Sequence, residues 1–142
     1  TWKVVYHHHP AWSSDENDYG NTWKGSSTQG YPPVQKYLVP IYEMYHVDVV
    51  FNGHIHLYER TWPIEGGKTV GNGKGVVYIT TGGGGGSLEN FAPNRTWFSS
   101  NKRVGHHFMM VNVNGDQMEL SAFDTEGRLF DRLLLDRQAT RK

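Results

Sequence analysis

Val4-Val5-Tyr6 is a short apolar run that stops at His7-His8-His9-Pro10. The pattern predicts a buried strand passing into a polar loop. From Ala11 to Pro33 the chain is rich in Ser, Asp, Asn, Gly and Pro, a long irregular loop of the kind that carries function in compact domains. Trp12, Tyr19, Trp23 and Tyr31 within it favour an ordered surface loop over a linker. Val34, Tyr37, Leu38, Ile41, Tyr42 and Tyr45 then recur at three- and four-residue spacing. This predicts a helix over 34–45, started by Pro33 and kinked or split at Pro40. Val47 to Phe51 reads as a second short strand, and a helix leading into a buried strand is the αβ half of an α/β unit.

Beyond Asn52-Gly53 and His54-Ile55-His56, Leu57 to Ile64 reads as a strand that Pro63 confines to a sheet edge. Gly66-Gly67 and the Gly71 to Gly73 segment mark turns. Gly75 to Thr81 reads as a strand ending in the five glycines Gly82 to Gly86, and residues 87–105 as a second irregular loop. The last third changes character. His107 to Val113, Met118 to Phe123 and Arg128 to Leu135 are strand-like, separated by the turn signals Asn114-Gly115 and Glu126-Gly127. They predict a three-stranded antiparallel meander. Gln138 to Lys142 is a polar tail.

Composition narrows the function classes. The chain has 142 residues, enough for one domain or half of a larger one. Fourteen Lys+Arg balance fourteen Asp+Glu, which argues against a nucleic-acid binder working by bulk charge. No stretch approaches ~18 uninterrupted apolar residues, so no membrane-spanning helix is expected. Cys is absent, which removes disulfides and thiolate metal sites. A chain that opens inside a strand at Thr1 reads as a fragment or a processed product.

Eight His remain as the candidate chemistry. Three groups, His7-His8-His9, His54 with His56, and His106-His107, lie just after expected strands or at the edge of one, where α/β sheets place ligand sites. His46 stands alone at a helix end and reads as a cap. Neutral imidazole suits Zn, Fe, Mn and related ions. Gly53 before His54 lets the backbone turn tightly, so two rings two residues apart can point into one cleft. Each can serve a different ion of a pair about 3.5–4 Å apart. The competing reading is a set of surface or packed histidines.

The order and spacing of His8-His9-Pro10-Ala11-Trp12, of Gly53-His54-Ile55-His56-Leu57-Tyr58-Glu59-Arg60, and of Val77 to Gly85 resemble the calcineurin-like metallophosphoesterases, and among them the purple acid phosphatase branch. The resemblance implies an α/β fold, a four-layer α/β/β/α sandwich with two face-to-face sheets and helices outside. Residues 1–137 look like the C-terminal half of that domain, mostly β with one or two helices, and 138–142 like a tail. It implies two metal ions, Fe with Zn, Mn or Fe, and a metal-bound hydroxide attacking a phosphomonoester. His8 and His54 would bind the second metal, His56 the first. The substrate would be a phosphorylated small molecule or a phosphoprotein, the location secreted or extracytoplasmic, with no nucleic acid or membrane partner.

The remaining family ligands, carried by Asp-x-Gly, Gly-Asp-x-x-Tyr and Gly-Asn-His motifs, have no match here and precede the His-x-Pro motif in the family. The missing N-terminal half is therefore the expected partner, and the isolated chain is expected to have little activity. His9 is a candidate proton donor to the leaving group or a His supporting the site from behind. His107 and Gly83 are candidate substrate contacts, against packing at a strand start and a loop of close backbone approach. Asn94-Arg95-Thr96 fits a glycosylation acceptor. Two alternatives stand beside the phosphatase: a phosphodiesterase or nucleotidase with the same metals, and a non-catalytic β-rich interaction module.

Overall fold

Pro40 divides the amphipathic run in two. The computed structural model, which describes residues 1–16, 29–71, 73–93 and 95–137, has helix α1 at Pro32–Tyr37 and helix α2 at Val39–Met44, each with a proline in its first turn. The missing N–H at Pro40 ends one ladder and its fixed φ starts the next. Helix α2 stops where His46 takes a left-handed φ of 51°. The His46 and Val47 amides return to the Glu43 and Tyr42 carbonyls at 3.1 and 2.9 Å, a helix stop that usually carries glycine. The capping role expected for His46 is thus played by its backbone.

Twelve elements follow in chain order among the described residues: β1 (Val4–His7), α1, α2, β2 (Val49–Asn52), β3 (Tyr58–Thr61), β4 (Ile64–Glu65), β5 (Lys68–Thr69), β6 (Val77–Thr81), β7 (Ser99–Arg103), β8 (His107–Asn114), β9 (Gln117–Asp124) and β10 (Leu129–Asp136). One sheet has the order β1-β2-β6-β3-β7, and β8, β9 and β10 form the second. In the first, β1, β2 and β6 are parallel and β3 and β7 antiparallel to their neighbours. The second is the antiparallel meander expected from its turn signals.

The strand pleat sorts the core into two layers. Val50 and Tyr78 point to the helices and pack with Val34, Val39, Tyr42 and Phe98. Val49, Val77 and Ile79 point the other way, against Met118, Leu120 and Ala122 of the meander. Helices, mixed sheet and antiparallel sheet therefore stack as α/β/β. No helix of the described residues is long and apolar enough to cross a membrane.

Three expectations are corrected. Residues 99–103, expected to be loop, form β7, because Ser99 to Arg103 borrow their extended form from backbone pairing with β3 rather than from an apolar alternation. The expected strand 57–64 is two strands, β3 and β4. Pro63 lies between them and confines neither to an edge by itself: β3 runs inside the sheet between β6 and β7. Tyr19 and Trp23 of the first loop, Asn94 of the glycosylation triplet and the 138–142 tail lie outside the described residues.

Candidate metal centre

Parallel pairing brings the histidines together. His7 is in register with Asn52, the last residue of β2, so the chain leaves both strands at the same edge of the sheet. That carboxyl edge is where parallel sheets form ligand sites. Two contacts tie the departing loops. The Gly53 amide donates to the His8 carbonyl at 3.1 Å, and the buried Asn52 Nδ2 reaches the His7 and His9 carbonyls at 3.0 and 3.4 Å.

Beyond these ties the His8 and His54 rings meet edge to face, centroids 5.0 Å apart, with His8 Nε2 3.2 Å from His54 Nδ1. His9 joins them, its ring 4.5 Å from that of His54 and 5.0 Å from that of His8. One ligand nitrogen from each of the three lies within 4.8 Å of the others. His9 also stacks on Tyr31 at 4.5 Å.

The turn that aims His54 differs from the expectation. The residue with the unusual backbone is His54 itself, with φ of 68°, not Gly53. The Ile55 amide closes back to the Gly53 carbonyl at 2.8 Å. A three-residue turn with positive φ at its centre is the rarer, strained γ-turn.

His56 is held separately. Its Nδ1 lies 2.8 Å from the Ser87 carbonyl, which makes Nδ1 the donor and leaves the lone pair on Nε2. Metal-binding histidines are commonly oriented by such a bond. Its amide donates to Glu89 at 2.6 Å. The glycine run serves this packing. A Cβ on Gly82 would stand 2.1 Å from the Ile55 carbonyl oxygen, and one on Gly86 2.6 Å from the His56 ring.

His107 and Gly83 are both buried and pack against each other. His107 is buried, its Nδ1 2.8 Å from the Gly105 carbonyl and its Nε2 3.0 Å from the Thr81 hydroxyl. Burial lowers its pKa from the ordinary histidine value. A Cβ on Gly83 would come within 2.3 Å of that ring, so the glycine is required by packing.

Tyr58-Glu59-Arg60 fasten the histidine loop to both layers. Tyr58 and Arg60 share one face of β3. The Tyr58 hydroxyl donates to Asp131 at 2.6 Å, and Arg60 grips the same carboxylate through Nε and Nη2 at 2.6 and 2.9 Å. Glu59 faces the other way and is buried. It accepts the Ser14 amide at 2.8 Å, the Ser14 hydroxyl at 2.5 Å and the Ser99 hydroxyl. Burial pushes its carboxyl up against these three donors, which favour the ionised form. Asn52, Ser14 and Asp131 were invisible as site residues in the sequence, because each acts through a partner more than 40 positions away.

The donor set suits a metal. The imidazoles of His8, His9 and His54 converge and that of His56 is oriented, and neutral nitrogen ligands favour borderline divalent ions.

No family model matches the chain. It is 27% identical over 138 residues to the Arabidopsis thaliana protein named probable inactive purple acid phosphatase 27, an alignment covering 92% of this chain and 20% of that one. It is 26% identical over 98 residues to the nucleotide pyrophosphatase/phosphodiesterase of Hordeum vulgare, covering 63% of this chain and 26% of that protein. Its fold matches the purple acid phosphatase PPD1 from yellow lupin (Lupinus luteus) seeds with a TM-score of 0.85 and 27% identity, over 95% of this chain and 25% of the lupin chain. The chain spans about a fifth to a quarter of the length of these relatives.

Proposed function

This chain is, in sequence and in fold, a relative of the purple acid phosphatases, and from that relationship we propose that it supplies the histidine half of a phosphomonoester-hydrolysing site with two metal ions. The observation that carries the proposal is the approach of His8 Nε2 and His54 Nδ1 to 3.2 Å across the ends of two parallel strands.

In this reading His8 and His54 hold one ion and His56 Nε2 the other. The ions, Fe with Zn, Mn or Fe, supply Lewis acidity that lowers the pKa of water and offsets phosphoryl charge. The carboxylate, Tyr and Asn ligands come from residues outside these 142, in an N-terminal half of the same domain. The chain's own residues do the positioning. The His8–Gly53 and Asn52 contacts hold the two loops in register, Ser87 fixes the His56 ring, and Glu59 and Asp131 anchor the strand that follows. The 142 residues alone have little activity on this account. A phosphorylated small molecule or phosphoprotein as substrate, and a secreted or extracytoplasmic location, belong to the same reading and rest on the relationship alone.

Hydrolysis of p-nitrophenyl phosphate by the longer protein carrying this chain tests it. Turnover should fall about 100-fold or more in His54→Asn, because a lost ligand costs more than the 10–100-fold typical of its supporting partners. Equal rates in both proteins would refute it. The barley relative's name favours a second reading, a phosphodiesterase. Faster turnover of bis(p-nitrophenyl) phosphate than of the monoester would select it. No turnover of either ester would select the non-catalytic module, the reading favoured by the word inactive in the Arabidopsis relative's name.

A further inference from the structure

We propose that His9 is a third metal ligand, completing with His8 and His54 a three-imidazole site that binds one borderline divalent cation using residues of this chain alone. The inference rests on the metal reading above. It departs from that reading by giving His9 a bond to the ion where the sequence suggested a proton donor.

Three observations carry it. The first is convergence. The three ring centroids form a nearly equilateral triangle with sides of 4.5, 5.0 and 5.0 Å. Consecutive residues of a strand point to opposite faces. His8 and His9 escape this because β1 ends at His7. Their rings then meet at 89°, and Asn52 Nδ2 reaches the His9 carbonyl to hold the bend.

The second is spacing. Zn–N bonds of about 2.0–2.1 Å place two nitrogens on one tetrahedral ion about 3.3 Å apart. His8 Nε2 and His54 Nδ1 stand at 3.2 Å. One ring nitrogen from each of His8, His9 and His54 lies within 4.8 Å of the others, so a small rotation of one half-buried ring closes the set. Three imidazoles and an open fourth position are a known way for zinc to be held with room for a reacting group.

The third is strain. His54 keeps a positive φ of 68°, a strained backbone for a residue with a Cβ. The γ-turn aims its ring at His8 and His9. Gly or Asn would sit in that backbone with less strain. His56, two residues on, is not one of the three converging rings, and the Ser87 carbonyl holds its ring in a separate orientation.

The test is calorimetric titration of the chain with Zn2+, comparing His8→Asn, His9→Asn, His54→Asn and His46→Asn, with far-UV circular dichroism to verify folding. One Zn2+ per chain is expected, with affinity lowered at least about tenfold in the first three variants and within about twofold of the parent in His46→Asn, whose ring is exposed at the end of α2. Ring 1H–15N spectra of the unaltered chain add a readout that needs no variant. Zn2+ should shift the ring nitrogens of residues 8, 9 and 54 and spare those of 46. If His8→Asn and His54→Asn weaken binding while His9→Asn does not, the ligand role of His9 is overturned and the metal reading stands. If the unaltered chain binds no Zn2+, the three-imidazole site is overturned, while the two-ion reading, which draws further ligands from outside these 142 residues, stands or falls by the p-nitrophenyl phosphate test.

Discussion

Asp131 is the point at which the meander holds the histidine-bearing sheet, and Asp131→Ala measures what that hold contributes. The carboxylate receives the Tyr58 hydroxyl and two Arg60 nitrogens at 2.6 to 2.9 Å. The Arg60 and Asp131 side chains are only 11% and 6% exposed. Removing the carboxylate leaves a buried guanidinium without its counter-charge, a loss of about 3–5 kcal/mol. The orphaned phenol overlaps with that loss rather than adding to it, since both arise from one group. At roughly 3 °C per kcal/mol for a chain of this size, the thermal midpoint should fall by roughly 10–15 °C. Thermal and urea unfolding followed by circular dichroism read it. The pair Arg60→Met with Asp131→Leu should recover most of the loss, because it removes the stranded charge as well. Acid adds a second signature. Burial pushes the Asp131 carboxyl up, but the Arg60 and Tyr58 hydrogen bonds outweigh it and hold it below the ordinary 3.8. Its stabilising share is therefore complete above that value and is lost as the pH falls through the lower folded one. A loss of only about 0.5 kcal/mol, the range of surface substitutions, or a double variant no better than Asp131→Ala, refutes the reasoning.

Three further outcomes are expected. Gly82→Ala puts a Cβ 2.1 Å from the Ile55 carbonyl oxygen, whereas Gly84→Ala meets nothing within 4 Å. The first should cost more than about 2 kcal/mol and the second little, and equal urea midpoints would contradict the packing argument for the glycine run. His107 is held below its ordinary 6.5 by burial, so its contribution is present above that pH and is lost as acid protonates it. His107→Gln should flatten the fall of the thermal midpoint as the pH drops below about 6.5, and an unchanged slope would count against it. Glu59→Gln presents an amide donor to the Ser14 and Ser99 donors that the carboxylate accepts. A loss of about 1–3 kcal/mol in urea unfolding is expected, and a neutral result would mean that Glu59 does not anchor the loop.

Local patterns carried much of the architecture. The meander was legible because Asn114-Gly115 and Glu126-Gly127 name their own turns, and the helix split because Pro40 has no amide to give. Strand β7 was not legible. Ser-Ser-Asn-Lys-Arg has no apolar alternation, and only the backbone edge of β3 makes it extended. The site divides in the same way. The histidines stood out as residues, but the approach of His8 to His54 depends on the parallel register of His7 with Asn52, which no nearby residue announces. The sequence pointed to Gly53 as the flexible point, whereas the chain bends at His54. The Tyr58-Glu59-Arg60 segment was recognisable only as a string. That Glu59 reaches back to Ser14 and Arg60 forward to Asp131 follows from the two faces of one pleated strand and from partners far away in the chain.

The bend at His54 sets stability against chemistry at a single position. A swap to Asn there relaxes the backbone while deleting an imidazole, so on the proposed metal reading the chain would become sturdier as it lost a ligand. On the same reading, a lineage released from metal binding would drift readily toward such a replacement, since folding alone does not reward the imidazole.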